Sequence, residues 1–256
     1  MSEIRLKSIV NIRDFEGIVT ADGKDLKRGH FIRSSALYHL SPDDRKILFE
    51  EYRVRTIIDL RTEAEVAEKP DSYPKGVNYI NIPLIDEATA GISHEQRQNR
   101  DLSAVPEMSD LYRLVVTNEK SVGNFKETFR LILSNYEKGA VLWHCTEGKD
   151  RCGLVSALFL FLLGVEREEV TANYLMTNLY NKWKARKYYY LILLYKWNRS
   201  LAKKVRGMFI ADESYLDAAL DAIDRKYGSI ENFLKNELGI TDIQRDKLKS
   251  FYLKEI

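Results

Sequence analysis

Residues 141–153 read VLWHCTEGKDRCG, and this stretch decides how the rest of the chain is interpreted. A short apolar run ends at His144-Cys145, a loop with one glycine follows, and a long apolar segment extends from Leu154 to Val165. This order is typical of a buried strand, a tight turn and the start of a helix. The stretch therefore predicts a strand–loop–helix unit with Cys145 at the end of the strand.

The predicted loop brings backbone N–H groups to a helix N-terminus, where they have no acceptor within the helix. Together with the positive end of the helix dipole, such a nest binds a phosphate dianion. The same field favours the thiolate of Cys145, which is then a competent nucleophile. Arg151 can offer a planar fork of donors to two phosphate oxygens. The predicted phosphate-binding residues are Thr146, Glu147, Gly148, Lys149, Asp150 and Arg151.

Composition excludes several other classes of protein. The 256 residues are 45% hydrophobic and carry a net charge of +2, so we expect one globular domain and no nucleic-acid partner. The two cysteines both lie in the loop, without the spacing of a zinc site or a disulfide framework, and we expect no metal and no cofactor. The N-terminus lacks a signal-like apolar stretch and residues 154–165 are too short to cross a bilayer, which predicts a cytoplasmic protein.

The remaining pattern alternates strands and helices, which indicates an α/β protein. Val54–Leu60 is a β-branched apolar run that predicts a buried strand, and Thr62-Glu63-Ala64-Glu65 predicts a helix opened by a capping box. Apolar residues at helical spacing predict amphipathic helices over Met108–Thr117 and Asn124–Tyr136. Three further helices are predicted after Asp212, with Gly228 and Gly239 ending the first two.

The loop residues resemble the signature of the protein tyrosine phosphatase superfamily. More narrowly, HCxxGKDR resembles the bacterial branch that acts on phosphotyrosine and on phosphoinositides, and Asn11-x-Arg13-Asp14, Phe31–Ser34 and Ile58–Arg61 follow the same family in the same order. The resemblance implies a phosphatase-like central sheet, mostly parallel and flanked by helices, with a helical lid. It also implies that residues 1–256 form a single phosphatase domain acting on a phosphorylated protein or a phosphoinositide.

Two segments are candidates for a lid over the site. Residues 86–106 are polar and irregular, which is typical of either a disordered loop or an active-site lid. Residues 178–211 form part of a stretch from Val170 to Ala211 that contains no acid. The second segment interleaves nine Lys or Arg with aromatic residues. It is either a helical lid with solvated charges, or a basic cap that attracts anionic substrate or contacts an anionic membrane.

The general acid has two candidates. Asp59 ends a strand predicted to lie beside the strand that ends at Cys145, at the carboxyl edge where α/β sites form. Asp150 lies in the loop itself. The sequence slightly favours Asp59, although a salt bridge to Arg61 or Arg13 is an alternative for that carboxylate.

Three loop residues bear on substrate and turnover. Lys149 predicts contact with a second phosphate, as on an inositol headgroup, unless it is a solvated lysine. Glu147 stands where the family has a small residue, and its carboxylate should repel a dianion unless it points outward or meets a cation of the lid. Cys152 replaces a hydroxyl that assists breakdown of the intermediate, which predicts slower turnover and, on oxidation, a disulfide with Cys145.

Glu147 and Cys152 also support a rival interpretation. A phosphatase-like domain that binds phosphate with little or no turnover would tolerate both departures, whereas Cys145 and Arg151 favour an enzyme. His144 is expected to orient the loop by hydrogen bonding, because neighbouring residues on a strand point to opposite faces.

Overall fold

The computed structural model describes residues 4–85 and 107–255 of the chain. The first lid candidate, residues 86–106, lies outside the described residues. The strands are β1 (Arg13–Asp14), β2 (Asp25–Leu26), β3 (Phe31–Ser34), β4 (Val54–Asp59), β5 (Asn78–Asn81), β6 (Ala140–His144) and β7 (Leu253–Lys254). Within the described ranges, five of them form a central sheet in the order β1-β3-β6-β4-β5, and β2 pairs with β7. The sheet is mostly parallel, because only β1 runs antiparallel to its neighbour.

Helices cover this sheet on both faces. The α-helices are α1 (Pro42–Lys46), α2 (Glu63–Glu68), α3 (Met108–Thr117), α4 (Glu119–Asn135), α5 (Asp150–Leu163), α6 (Arg167–Leu175), α7 (Asn178–Lys196), α8 (Arg199–Gly207), α9 (Glu213–Tyr227), α10 (Ile230–Asn232) and α11 (Asp242–Tyr252). Two of them continue as π-helical turns, α1 over Ile47–Glu51 and α10 over Phe233–Glu237. The predicted α/β architecture is therefore confirmed.

The central strands are buried on both faces. In β6, Val141 and Trp143 belong to the larger of two apolar clusters, while Ala140 and Leu142 belong to the smaller one on the other face. The same alternation holds in β4, where Ile58 joins the larger cluster and Ile57 the smaller. Burial on both faces explains why the sequence shows continuous apolar runs here and no polar alternation.

Strand register brings the predicted site residues to one edge of the sheet. In the parallel pairing of β4 with β6, Asp59 lies opposite His144 at the carboxyl ends of both strands. Asp59 therefore lies beside the strand that leads into Cys145, as the sequence predicts. The capping box is also confirmed, since the Thr62 hydroxyl accepts from the Glu65 N–H and the Glu65 carboxylate accepts from the Thr62 N–H.

The second lid candidate is helical and is formed by α7 and α8, which pack against each other. Asn178 at the start of α7 exchanges two hydrogen bonds of 2.8 Å with the backbone of Ala211, so the ends of the lid are tied together. No helix in the described part of the chain is long and apolar enough to cross a membrane.

Candidate active site

The loop that follows β6 turns tightly against β3. Cys145 comes directly after the strand, is 2% exposed, and α5 begins five residues later at Asp150. Gly148 has a φ of +64°, and a Cβ added to it would lie 2.6 Å from the carbonyl oxygen of Ser34. Glycine is required here both for its backbone conformation and for the close approach of the two chains.

Three successive carbonyl oxygens of the loop accept hydrogen bonds from outside it. The donors are the Ala36 N–H to Thr146 at 3.3 Å, the Asn11 amide to Glu147 at 2.8 Å, and the Arg33 guanidinium to Gly148 at 2.8 Å. In a trans peptide the N–H points away from the C=O, so the N–H groups of residues 147–149 face the inside of the loop. The inner surface is therefore a concave set of donors, the geometry that binds a phosphate.

Asn11 and Arg33 are themselves held in place by buried partners. Arg13 donates to the side-chain oxygen of Asn11 and, at 2.9 Å, to the carbonyl of Asn173, while Arg33 donates to the Asn173 side chain at 3.0 Å. In the sequence, Asn11, Arg13 and Arg33 stand out only as parts of family motifs. Their task of turning the loop carbonyls outward could not be found from spacing, because the donors lie more than 100 positions from their acceptors.

Arg151 lies in the first turn of α5 and is paired with Glu65. Its two terminal nitrogens lie 2.6 and 2.9 Å from the two carboxylate oxygens of Glu65, which also accepts at 2.5 Å from the Thr146 hydroxyl. Burial disfavours both charges, but the pair reverses this effect: the pKa of Arg151 is raised and the pKa of Glu65 is well below its usual range. A phosphate must therefore share the guanidinium with Glu65 or displace that carboxylate.

Glu65 is a site residue that sequence reasoning missed. The capping box identifies it as a helix-start residue, and it does fill that role. Its carboxylate also reaches Arg151 because α2 begins at the same sheet edge as α5. The sequence shows a charged side chain, Glu65, in the first turn of a predicted helix. Only the tertiary structure shows that its partner is Arg151.

The structure argues against Asp59 as the general acid. Its carboxylate is fully buried and is held by the Arg61 guanidinium at 2.6–3.0 Å and by the Tyr79 hydroxyl at 2.7 Å. Burial alone would raise the pKa of Asp59, but nearby His144 and these hydrogen bonds lower it. These conditions favour the ionised carboxylate and therefore do not favour Asp59 as a proton donor, a role that stays a prediction. The alternative salt bridge to Arg61 is confirmed.

Asp59, Asp71 and His144 form a buried charge network with Arg61. One oxygen of each carboxylate and one ring nitrogen of His144 lie within 4.8 Å of one another, a spacing that would suit a metal ion. The Arg61 guanidinium, however, lies 2.6 Å from Asp59 and 3.0 Å from Asp71. The guanidinium already supplies the positive charge there. His144 lies 2.8 Å from Asp71 and 3.4 Å from the Cys145 carbonyl, in line with the predicted role of orienting the loop.

Asp150 is the more exposed of the two candidate carboxylates, although it too lies beside a cation, since its Oδ1 is 3.1 Å from the Lys149 Nζ. Its side chain is 28% exposed and accepts a hydrogen bond of 2.6 Å from the Tyr112 hydroxyl. Burial and the neighbouring Asp150 carboxylate together raise the pKa of Tyr112, so this tyrosine stays a donor at neutral pH. Asp150 precedes Arg151 in the first turn of α5, and its role as the general acid stays a prediction.

Lys149 does not face the inside of the loop. Its side chain is 1% exposed, and its ammonium group lies 2.9 Å from the carbonyls of Met208 and Ile210 and 3.3 Å from that of Gly207. The interpretation of Lys149 as a solvated lysine is wrong for this structure. The contact with a second phosphate stays a prediction, which the burial of the ammonium group does not favour. The carbonyls at the end of α8 attract the cation because they have no donor within the helix.

Glu147 and Cys152, the two departures from the family pattern, have separate surroundings. The Glu147 carboxylate pairs with Lys184 of α7, which confirms the predicted lid cation and neutralises the charge that would repel a dianion.

Cys152 is buried and free, donates to the Trp143 carbonyl at 3.6 Å, and has a pKa raised to about 11 by burial. It is therefore a neutral thiol, and its disulfide with Cys145 stays a prediction.

A mostly parallel sheet that ends in a Cys-x5-Arg loop at a helix N-terminus defines the class of cysteine-dependent phosphatases. The family model described as the tyrosine phosphatase family matches residues 4–254, and the chain belongs to that family. It is a phosphoric monoester hydrolase of the protein-tyrosine-phosphatase type.

Two relatives that are named as protein phosphatases align with nearly the whole chain. A Cupriavidus necator protein that carries the provisional name tyrosine-protein phosphatase is 26% identical over 98% of this chain and 88% of its own length. The triple specificity protein phosphatase PtpB of Mycobacterium tuberculosis is 27% identical over 95% of this chain and 96% of its own length. Among solved structures, the core catalytic domain of the PP-IP phosphatase SIW14 from S. cerevisiae aligns with a TM-score of 0.38 and 15% identity, covering 90% of this chain and 98% of that one.

Proposed function

We propose that Cys145 is the nucleophile and Arg151 the phosphate-binding residue of this phosphatase, and that its substrates are phosphotyrosine or phosphoinositide esters. The observation that supports this most is the set of loop carbonyls held outward by Ala36, Asn11 and Arg33, which leaves the amides facing inward. The loop amides then bind the phosphate oxygens beside the sulfur, and the guanidinium binds those oxygens that gain charge in the transition state.

In the proposed reaction, the Cys145 thiolate attacks phosphorus and the P–O bond to the ester oxygen breaks. Asp150 protonates that leaving oxygen. Water then attacks the cysteinyl-phosphate, Asp150 accepts a proton from the water, and the P–S bond breaks to release phosphate. The Tyr112 hydroxyl keeps the Asp150 carboxyl oriented throughout, since it donates to one carboxylate oxygen.

Two comparisons test these roles. Cys145→Ser should abolish phosphate release from p-nitrophenyl phosphate, whereas a phosphate-binding module without turnover would show no activity in either form. Asp150→Asn should retain most activity on an aryl phosphate with a good leaving group and lose about 100-fold or more on a poor one, the scale of general acid catalysis. Asp59→Asn is the matched control; if it alone shows this split, Asp150 is not the acid.

The substrate class follows from a release panel. Phosphotyrosine, phosphoserine and phosphothreonine peptides are compared with phosphoinositides and inositol phosphates at equal concentration. The two relatives described above are named as protein phosphatases, which supports phosphopeptides as substrates. Peripheral contact of the basic lid with an anionic membrane belongs to the same proposal, because it would bring a membrane-bound ester to the loop.

A further inference from the structure

One face of helix α7 is apolar and exposed to solvent. Leu179, Trp183, Tyr190 and Leu194 follow one another at spacings of four, seven and four residues, which places them on one side of a helix. Trp197 follows directly after the end of α7 and is also exposed. Trp183 is 82% exposed and Trp197 89%, so these large rings have almost no protein contact within the described residues. We call these five residues the lid stripe.

The lid stripe is surrounded by positive charge. The lid contains nine basic residues and no acid: Lys182, Lys184, Arg186, Lys187, Lys196, Arg199, Lys203, Lys204 and Arg206. In the described part of the chain only Lys184 and Lys204 meet a carboxylate, that of Glu147 and that of Glu107 at 3.7 Å. Lys184 lies on a different side of α7, so the side that meets the loop is not the side that carries the stripe.

Four of these cations converge on a cavity between the two lid helices. The cavity has a volume of about 300 Å³ and is lined by Lys182 and Arg186 from α7, by Lys203 and Arg206 from α8, and by Tyr189 and Tyr190. Spacings of four and three residues place each basic pair on one helix face. The four positive charges around the cavity repel one another, so an anion bound in the cavity would stabilise the packing of the two helices.

We propose that the paired lid helices form a second anion site, separate from the Cys145 loop, that takes the phosphate headgroup of an anionic membrane lipid while the lid stripe inserts beside it. The charge of the cavity matches the headgroup, and Trp and Tyr side chains are suited to the boundary between headgroups and acyl chains. Arg186 lies over the Tyr190 ring at 5.8 Å and so joins the cavity to the stripe. The cavity and the stripe would give the proposed membrane contact a defined site, and lipid binding there does not require turnover.

The test is co-sedimentation of the full chain, as Cys145→Ser so that no headgroup is hydrolysed, with phosphatidylcholine vesicles with or without phosphatidylglycerol. We expect binding only to the anionic vesicles. The double variant Lys203→Glu with Arg206→Glu should lower the partition coefficient at least about 30-fold, since two cations near an anionic surface are removed. Trp183→Ala with Leu194→Ala should lower it about 10-fold even at low salt.

The matched control is Lys75→Glu with Arg225→Glu, which changes the net charge equally at exposed positions outside the lid. It should bind within about two-fold of the parent, because the attraction is local. Equal loss in the control, or equal binding to neutral vesicles, would overturn the proposal. So would full displacement by millimolar inorganic phosphate, which would make this a free-phosphate site. A dimer that is broken by the stripe variant, in a protein that binds no vesicles, would assign the stripe to a second copy of the chain.

Discussion

At the scale of single residues, the site depends on a few side chains that position the loop and do not react themselves. Gly148 admits the backbone of Ser34, and Asn11 and Arg33 turn loop carbonyls outward. Glu65 fixes the guanidinium of Arg151. Each of these contacts can be removed separately, and each removal has a distinct expected outcome.

Gly148→Ala should disrupt the loop. The new Cβ would lie 2.6 Å from the Ser34 carbonyl oxygen in a left-handed conformation, so the loop must move to relieve the clash. We expect a loss of kcat of about 100-fold or more, because an error of about 1 Å in position is enough for that. Gly123→Ala is the matched control, since nothing lies within 4 Å of its Cβ in the middle of α4, and it should stabilise the fold by about 0.5–1 kcal/mol. Equal activity of the two variants would contradict this account.

Glu65→Gln should lower both activity and stability at neutral pH. The pair with Arg151 is mostly buried, so loss of the carboxylate should lower the free energy of unfolding by about 2 kcal/mol. Because the pKa of Glu65 is lowered on folding, its contribution is present above the usual carboxyl pKa of 4.5 and is lost as the pH falls toward the depressed value. The difference in melting temperature between the two proteins should therefore be constant from pH 7 to about 5 and narrow below pH 4.5. A difference that widens on acidification would exclude this role.

At the scale of elements, the lid is attached to the phosphate-binding loop by two side chains of the loop itself. Glu147 pairs with Lys184 of α7, and Lys149 binds the carbonyls at the end of α8. The contact with α8 buries Lys149, whereas the Glu147–Lys184 pair stays partly exposed at the edge of the lid. A displacement of the loop should therefore change the position of the lid helices.

Lys149→Met should release the end of α8. The substitution keeps an apolar stem of similar length but leaves the carbonyls of Gly207, Met208 and Ile210 without their donor, which should lower stability by about 3 kcal/mol. Limited trypsin digestion, followed by mass spectrometry of the cut sites, should show faster cleavage within residues 178–211. Lys235→Met, at an exposed pair with Asp242, is the control and should leave that rate unchanged. Equal cleavage rates within residues 178–211 for the parent and both variants would rule out the attachment.

At the scale of the whole molecule, the central sheet connects the two apolar clusters with the site. The larger cluster contains Trp143 and the smaller contains Leu142, which are neighbours on β6, so neither cluster can form without that strand. The same strand leads into Cys145. Folding of the core and assembly of the site should therefore be one event.

One cooperative unfolding transition is the expected result for the predicted single domain. In Trp183→Phe with Trp197→Phe, the remaining Trp143 reports on the core, while far-UV circular dichroism also reports on the lid helices. We expect the two signals to give the same midpoint and slope in urea. An earlier loss of helical signal, before Trp143 is exposed, would show that the lid unfolds by itself and that the chain is not a single unit.

Patterns in the sequence are enough to predict the secondary-structure elements and a phosphate-binding role for the loop. Apolar runs, capping boxes and glycines placed the strands and most helices, because these signals act between residues a few positions apart. The Cys-x5-Arg spacing likewise indicated a phosphate site, since loop and helix start are contiguous in the chain.

Contacts between groups that are distant in the sequence become visible only in the folded chain. Glu65 reaches Arg151, Lys149 binds the end of α8 and lies beside Asp150, and Asp59 is bound by Arg61 at the edge of β4. Partner choice among charged side chains depends on burial and on separations of a few ångströms, and a sequence records neither. Spacing along the chain predicts which group can carry a charge, but only the fold determines which opposite charge neutralises it.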